Sequence, residues 1–131
     1  MKLAKGLKFE TASKVDSYLL EFGAGTGSLA EIWRSRFNSS PICFEIDPSL
    51  AVILRSKGFE CIDSCDSVER KVDFVYTSNV LEHIENDLEA LQSIRKTIKP
   101  GGRLGIYVPA LPILFSDLDR KVGHFRRYKK R

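Results

Sequence analysis

The hydrophobic positions of the chain alternate between short continuous runs and spaced helical patterns. The continuous runs predict strands over residues 18–22, 41–45, 59–62, 72–77 and 103–108. A strand followed by a helical pattern, repeated in this way, is typical of βαβ units. Right-handed crossovers between such units make all five strands parallel. The pattern therefore predicts an α/β domain built around a parallel sheet.

Three helical patterns lie between the predicted strands. Asp47 and Pro48 supply an N-cap and a first-turn proline for the second helix, and Gly58 ends it. Asn86 and Glu89 resemble a capping box at the start of the third. Each of these helices has an apolar face, and Trp33 on the first of them is predicted to be core. These faces contain Leu29, Ile32, Trp33 and Phe37, then Leu50, Ile53 and Leu54, and finally Leu88, Leu91, Ile94 and Ile98.

The composition indicates one globular domain over residues 1–131, with 43% hydrophobic and 29% charged residues. No run of 18 apolar residues predicts a membrane span, and residues 1–10 lack the apolar centre of a secretory signal. Three cysteines cannot form a closed disulfide set, which favours the cytoplasm. Cys61 and Cys65 have no partner pair at zinc-ligand spacing, so apolar roles are favoured and no metal site is predicted.

The positive charge is concentrated at the C-terminus. The net charge is +4, but residues 120–131 hold seven basic residues and no acid. Without them, 14 basic residues face 17 acidic ones, a net charge of −3. Residues 111–131 are therefore interpreted as a basic, mobile tail or as a patch for an anionic, phosphate-bearing substrate. A single short basic segment is weak support for nucleic-acid binding.

A glycine-rich loop follows the first strand. Gly23, Gly25 and Gly27 alternate there, and glycine serves where the backbone turns sharply or a ligand approaches closely. The third glycine comes one position too early for a dinucleotide fingerprint, and no lysine follows as in a Walker A loop. Glu45 ends the second strand, 22 residues after Gly23. A carboxylate at this position can accept hydrogen bonds from both hydroxyls of a ribose.

Together these motifs resemble those of class I S-adenosylmethionine-dependent methyltransferases. The first motif corresponds to residues 21–27, the ribose-binding acid to Glu45, and two further motifs to residues 78–84 and 99–102. The resemblance covers roughly residues 17–110. Residues 108–110, 116–119 and 123–128 are similar to segments of bacterial methyltransferases of type 11/12. The resemblance implies a Rossmann-like sheet with strand order 3-2-1-4-5.

The resemblance also implies a cofactor, S-adenosylmethionine, and a set of residues around it. Asp63, or alternatively Asp66, would meet the adenine amino group, and Asn79 would line the methyl-transfer crevice. The implied cofactor-binding residues are Glu21, Gly23, Ala24, Gly25, Gly27, Glu45, Ile46, Asp63, Ser64 and Asn79.

Methyl transfer from a sulfonium is an in-line displacement, so a base is needed only if the acceptor starts protonated. We interpret Asn79 and His83 as the candidate catalytic residues, although a structural hydrogen bond explains His83 equally well. Glu82 and Glu85 are interpreted as solvent-facing acids near a helix start. The candidate residues for an anionic acceptor are His124, Arg126, Arg127 and Tyr128.

The chain departs from the class I methyltransferases that it resembles after the fifth strand, because their usual C-terminal antiparallel hairpin is missing. The fifth strand would then form an open apolar edge, from which we predict homodimerisation or a fragment of a larger domain. Three functions remain open. The first is a methyltransferase acting on a small-molecule acceptor, and the second is a catalytically incomplete binding module that acts as a partner or regulator. The third, a nicotinamide-dependent reductase, is disfavoured by Ser28 in the place of a glycine.

Overall fold

Five parallel strands form the centre of the structure, a computed structural model that describes residues 17–129. Their order is β3-β2-β1-β4-β5, which confirms the predicted fold class and order. Within the described residues, no strand follows β5. The predictions for residues 1–10 and for Lys130 and Arg131 lie outside the described part. The strands are β1 Leu19–Phe22, β2 Ile42–Phe44, β3 Cys61–Ile62, β4 Val72–Ser78 and β5 Ile98–Tyr107.

Four α-helices accompany the strands within residues 17–129, and side-chain caps explain the starts of the second and third. The Asp47 carboxylate accepts the Ser49 backbone N–H at 2.8 Å before the second helix. The Asn86 side chain accepts the Glu89 backbone N–H at 3.1 Å before the third. Both predicted caps are confirmed. The helices are α1 Ser28–Phe37, α2 Pro48–Ser56, α3 Asp87–Thr97 and α4 Asp117–Lys121.

The core lies on both faces of the sheet, because successive side chains of β1 point in opposite directions. Leu19 packs with the aromatic side chains Trp33, Phe74 and Tyr76 on the face that α1 covers. Leu20 and Phe22 pack on the opposite face, which includes Ile94 of α3. Trp33 is 7% exposed, which confirms its predicted core position. No helix in residues 17–129 is long and apolar enough to span a membrane.

Two details of the predicted third helix and fifth strand are wrong. Ile98 belongs to β5 and pairs with Val72, since the backbone becomes extended before Lys99-Pro100. The helical spacing of Ile98 continues the α3 pattern by coincidence. Leu88 is 63% exposed and does not contribute to the core. The apolar face of α3 therefore runs through Leu91 and Ile94.

Residues 110–129 return to the carboxyl edge of the sheet. A short 3-10 turn, Pro112–Leu114, precedes α4, and a parallel bridge then joins Ala110 to Tyr128. The backbone N–H of Phe125 donates to the Glu82 carbonyl at 2.7 Å. Residues 111–129, which the charge pattern assigns to a basic tail, therefore pack against the loop after β4.

Candidate cofactor and acceptor site

The glycine-rich loop has a left-handed backbone at each of its three alternating glycines. Gly23 and Gly27 have φ angles of 77° and 85°. A Cβ at Gly23 would lie 2.5 Å from a γ-methyl of Val80, and one at Gly27 would lie 2.8 Å from a δ-methyl of Leu54. These two glycines are therefore required by the packing of the loop against the domain itself.

Gly25 differs from its neighbours because its open side faces empty space. A Cβ there would meet nothing within 4 Å, although φ is also left-handed at 57°. The Gly25 backbone N–H donates to Oε2 of Glu45 at 2.8 Å. The loop thus leaves an open cradle over Gly25, beside the Glu45 carboxylate.

Glu45 lies at the carboxyl end of β2, and its carboxylate is held from two sides. Oε1 accepts the Asp47 backbone N–H at 3.0 Å, while Oε2 accepts that of Gly25. The residue is only 9% exposed. Each carboxylate oxygen has a second lone pair, so the group can also accept two ribose hydroxyls. The adjacent Ile46 is 72% exposed, which places a large apolar side chain beside this carboxylate.

The predicted adenine contacts follow β3, which pairs with β2. Asp63 is exposed directly after Ile62, on the same sheet edge as Glu45. The Ser64 hydroxyl accepts the Asp66 backbone N–H at 3.2 Å and caps the 3-10 turn Cys65–Ser67. Ser64 is therefore used to shape the loop, and Asp63 and Asp66 both stay predictions as adenine contacts.

Asn79 directly follows β4 and has a left-handed conformation, with φ at 54°. The Asn79 backbone N–H donates to the Tyr107 carbonyl at 2.8 Å, and Asn79 is exposed at the carboxyl edge of the sheet. Such a conformation costs a non-glycine residue about 1 kcal/mol and is concentrated at functional sites. The next residue, Val80, packs against Gly23, so the loop after β4 is pressed against the glycine-rich loop.

Glu21, predicted to bind cofactor, lies inside the domain. Its register partners are Cys43 and Tyr76, and the Tyr76 hydroxyl donates to its Oε2 at 3.0 Å. Burial raises the pKa of Glu21 to about 7, although the hydrogen bond from Tyr76 opposes this shift. Its observed contact is thus structural, and a cofactor role stays a prediction. Ala24 is buried within the glycine-rich loop.

The loop after β4 brings Glu82, His83 and His124 together. Glu82 is 0% exposed, so its interpretation as a solvent-facing acid is wrong. The turn Leu81–His83 directs the Glu82 side chain inwards. The Phe125 backbone N–H donates to the Glu82 carbonyl and holds the C-terminal segment over this residue. His83 is exposed, and its ring centroid lies 4.6 Å from that of His124.

The predicted acceptor-binding residues each have an internal partner. His124 Nδ1 and Arg127 Nε lie 2.9 and 2.8 Å from the same Asp119 carboxylate oxygen. Arg126 donates to the Ile84 carbonyl at 2.6 Å. The Tyr128 hydroxyl donates to the Asp87 carboxylate at 2.7 Å. Arg126 and Tyr128 therefore fasten the C-terminal segment to the loop after β4 and to the start of α3, whereas His124 and Arg127 bind Asp119 within the segment itself.

Asp119, named from the sequence only as part of a segment similar to type 11/12 methyltransferases, organises the C-terminal segment. Its carboxylate also accepts hydrogen bonds from the backbone and hydroxyl of Ser116. The Arg127 guanidinium holds the pKa of Asp119 well below its usual range, and His124 and Ser116 add to this effect. The spacing Ser116-x-x-Asp119 is a capping-box signal that could have revealed the helix start.

A family profile described as a methyltransferase domain matches residues 2–129. The chain belongs to the methyltransferase domain family. No curated protein sequence matches the chain. The predicted cofactor, S-adenosylmethionine, is confirmed for this domain, and the cradle over Gly25 beside Glu45 is compatible with it.

Several solved structures share the fold of this chain. One is described as a sarcosine dimethylglycine methyltransferase from Galdieria sulphuraria, with 22% identity, a TM-score of 0.66, and coverage of 79% of this chain and 43% of the other. A Haloferax volcanii complex of the Trm112 methyltransferase activator with a protein described as a methyltransferase has 13% identity, a TM-score of 0.71, and coverage of 98% and 62%.

The glycopeptide N-methyltransferase MtfA, solved with S-adenosylmethionine, has 18% identity and a TM-score of 0.63. The match covers 76% of this chain and 50% of MtfA. The methyltransferase domain described here therefore spans about half the length of these solved chains. At such identities the likeness shows a shared fold.

Proposed function

We propose that this domain transfers a methyl group from S-adenosylmethionine to a small-molecule acceptor at the carboxyl edge of the sheet. The observation that carries the proposal is the cradle over Gly25, where an open left-handed glycine lies beside the Glu45 carboxylate. The same edge presents Ile46, Asp63 and Asn79. Ligands of open parallel α/β sheets bind at this edge, beside the first strand.

In this proposal the residues bind and orient rather than react. Glu45 holds the ribose hydroxyls, Ile46 and Asp63 meet the adenine, with Asp66 as the alternative, and Asn79 lines the crevice. S-adenosylmethionine supplies an activated methyl group on its sulfonium when bound. The protein then has to hold the acceptor atom in line with that methyl and exclude water.

His83 is the proposed general base for an acceptor that starts protonated. It follows Asn79 by four residues and is exposed on the same edge, so its imidazole is accessible to an acceptor. A neutral imidazole accepts a proton near neutral pH. An acceptor without a proton to lose would need only positioning.

The acceptor is proposed to be anionic, for example phosphate-bearing. The support is the cluster of basic side chains in residues 120–129, which packs beside the loop after β4. His124, Arg126, Arg127 and Tyr128 contribute here by holding the segment in place, and the positive charge of Arg126 and Arg127 favours an anion. Neutral acceptors are the comparison in the test below.

The experiment is a transfer assay that measures release of S-adenosylhomocysteine with phosphate-bearing, carboxylate and neutral candidate acceptors. We expect turnover with an anionic acceptor, and His83→Gln should lower kcat while leaving S-adenosylhomocysteine affinity unchanged. A chain that binds S-adenosylhomocysteine but turns over no acceptor would favour the second candidate, a binding module with a partner or regulatory role.

Homodimerisation through β5 and a cytoplasmic location complete the proposal. β5 is the outer strand of the sheet, and Leu104, Ile106 and Tyr107 are exposed on it. Open apolar edges favour pairing with a second strand. The three cysteines are unpaired, as expected in a reducing compartment. Light scattering that shows a stable monomer at high concentration would contradict the dimer.

A further inference from the structure

The two histidines of this chain lie together, although 41 residues separate them in the sequence. His83 belongs to the turn after β4, and His124 to the segment that follows α4. Glu82 completes the cluster. One ligand atom from each of the three side chains lies within 4.8 Å of the other two.

The Glu82 carboxylate is buried without a hydrogen-bond partner. Both of its oxygens are inaccessible and unpaired within the described residues. His124 Nε2 lies 3.9 Å from Oε1, which is beyond hydrogen-bond distance. Burying an unpaired carboxylate is strongly unfavourable, and bound cations are one way in which proteins compensate for it. This carboxylate, facing a cluster of imidazole nitrogens, has the environment of a metal ligand.

The Asp119 carboxylate fixes the orientation of the His124 ring relative to Glu82. His124 Nδ1 lies 2.9 Å from the Asp119 carboxylate, which can accept the Nδ1 hydrogen and leave the Nε2 lone pair, 3.9 Å from Glu82, for a metal ion. Asp119 is itself held by Arg127 and Ser116. A carboxylate that orients a histidine from behind is the usual support of a metal-binding imidazole.

The donor set and spacing select the kind of ion. Ligand atoms about 2.1 Å from a tetrahedral Zn²⁺ lie about 3.4 Å from one another. The 3.9 Å separation of Glu82 and His124 would contract by a few tenths of an ångström, and the separations of the exposed His83 from the other two, each within 4.8 Å, by up to about 1.4 Å. Two histidine nitrogens with one carboxylate oxygen suit Zn²⁺ and leave a position open. The exposed His83 gives access from solvent.

We propose that Glu82, His83 and His124 bind one Zn²⁺ ion on the acceptor side of the crevice, with a coordination position left for an acceptor oxygen. The residue types in the sequence carry no zinc-ligand spacing, which is why no metal was expected. A bound ion would lower the pKa of a coordinated acceptor hydroxyl, whose proton would pass to solvent, and His83 would then act as a ligand in place of the general-base role proposed for the metal-free domain. That step rests on the proposed function, whereas Zn²⁺ binding does not.

The test is a Zn²⁺ titration of the full chain without cofactor. The NMR signals of the imidazole nitrogens are recorded at each step as the readout of binding. Because the chain has two histidines, every imidazole signal belongs to His83 or His124. We expect both residues to shift together and to saturate at one equivalent of Zn²⁺. His83→Gln, at an exposed position, should weaken binding about tenfold or more and leave the fold intact.

Glu82→Gln keeps the size of the buried side chain and should also weaken binding about tenfold or more. Glu85→Gln changes an exposed acid of the same loop and should leave the affinity unchanged. Imidazole signals that stay unshifted in a folded chain, including when Zn²⁺ binds only at the cysteines, would overturn the proposal. Unchanged affinity in both His83→Gln and folded Glu82→Gln would overturn it as well.

Discussion

The Glu45 carboxylate accepts the backbone N–H of Gly25 at 2.8 Å, so the acid at the end of β2 is tied directly to the glycine-rich loop after β1. The second N–H on this carboxylate comes from Asp47, at the start of α2. One buried side chain thus joins the two loops that border the proposed cofactor site. The remaining lone pairs of the Glu45 carboxylate can accept hydrogen bonds from ribose hydroxyls only if the glycine-rich loop keeps this shape.

Gly25→Ala should abolish cofactor binding while the domain stays folded. The left-handed φ should cost about 1–2 kcal/mol of stability, but the new Cβ meets no protein atom and projects into the cradle. Gly101→Ala is a matched control, since Gly101 also has positive φ and open space, but lies at the start of β5. Thermal melts with S-adenosylhomocysteine titrations check both. Equal binding in the two variants would contradict the cradle.

Gly23→Ala should instead destabilise the domain, because its Cβ would lie 2.5 Å from Val80. The combined clash and left-handed φ should cost about 2 kcal/mol or more. Val80→Ala removes both clashing methyl groups, so the double variant should be less destabilised than the sum of the single ones. Urea denaturation of the four proteins measures this coupling, and simple additivity would argue against the contact.

The fold was predictable because its local signals agree with its packing. Asp47 and Asn86 cap α2 and α3, and Gly25 and its neighbours occupy a turn that only glycine adopts readily. The start of β5 was not predictable in this way. Ile98 continues the helical spacing of α3, and only its pairing with Val72 places it in the sheet.

The site was predictable where it lies next to strand ends, and not where it depends on distant segments. Glu45 and Asn79 follow directly from their positions after β2 and β4. Glu82 reads as a surface acid, because only the return of the C-terminal segment, through Phe125 and His124, buries it. The internal partners of Arg126 depend on the same long-range contact.

Glu21→Gln should remove a pH dependence of stability. Burial raises the Glu21 pKa from 4.5 to about 7 in the folded chain, so its stabilising contribution is present below pH 4.5 and is lost as the pH rises through 7. The variant should therefore match the wild type near pH 4.5 and exceed it by up to roughly 3 kcal/mol at pH 8. Urea denaturation at both values measures this. A constant difference between the two proteins would contradict it.

Tyr128→Phe should loosen the C-terminal segment. Losing the hydrogen bond to Asp87, a partly exposed pair, should cost about 1 kcal/mol. Hydrogen exchange should then quicken at the amides of residues 111 and 125, which bond to Tyr128 and Glu82 carbonyls. Lys129→Ala, at an exposed neighbour, is the control. Fast exchange of these amides already in the wild type would instead support a mobile tail.

The central claim is that Glu45 and the glycine-rich loop bind S-adenosylmethionine, and calorimetric titration with S-adenosylhomocysteine tests it most directly. We expect micromolar binding by the wild type, and a loss of roughly 10- to 100-fold in Glu45→Ala, from the loss of charge-assisted hydrogen bonds to the ribose. Glu60→Gln, an exposed acid before β3, should bind as the wild type does. A folded wild-type chain without binding, or a folded Glu45→Ala chain with undiminished binding, would contradict the claim.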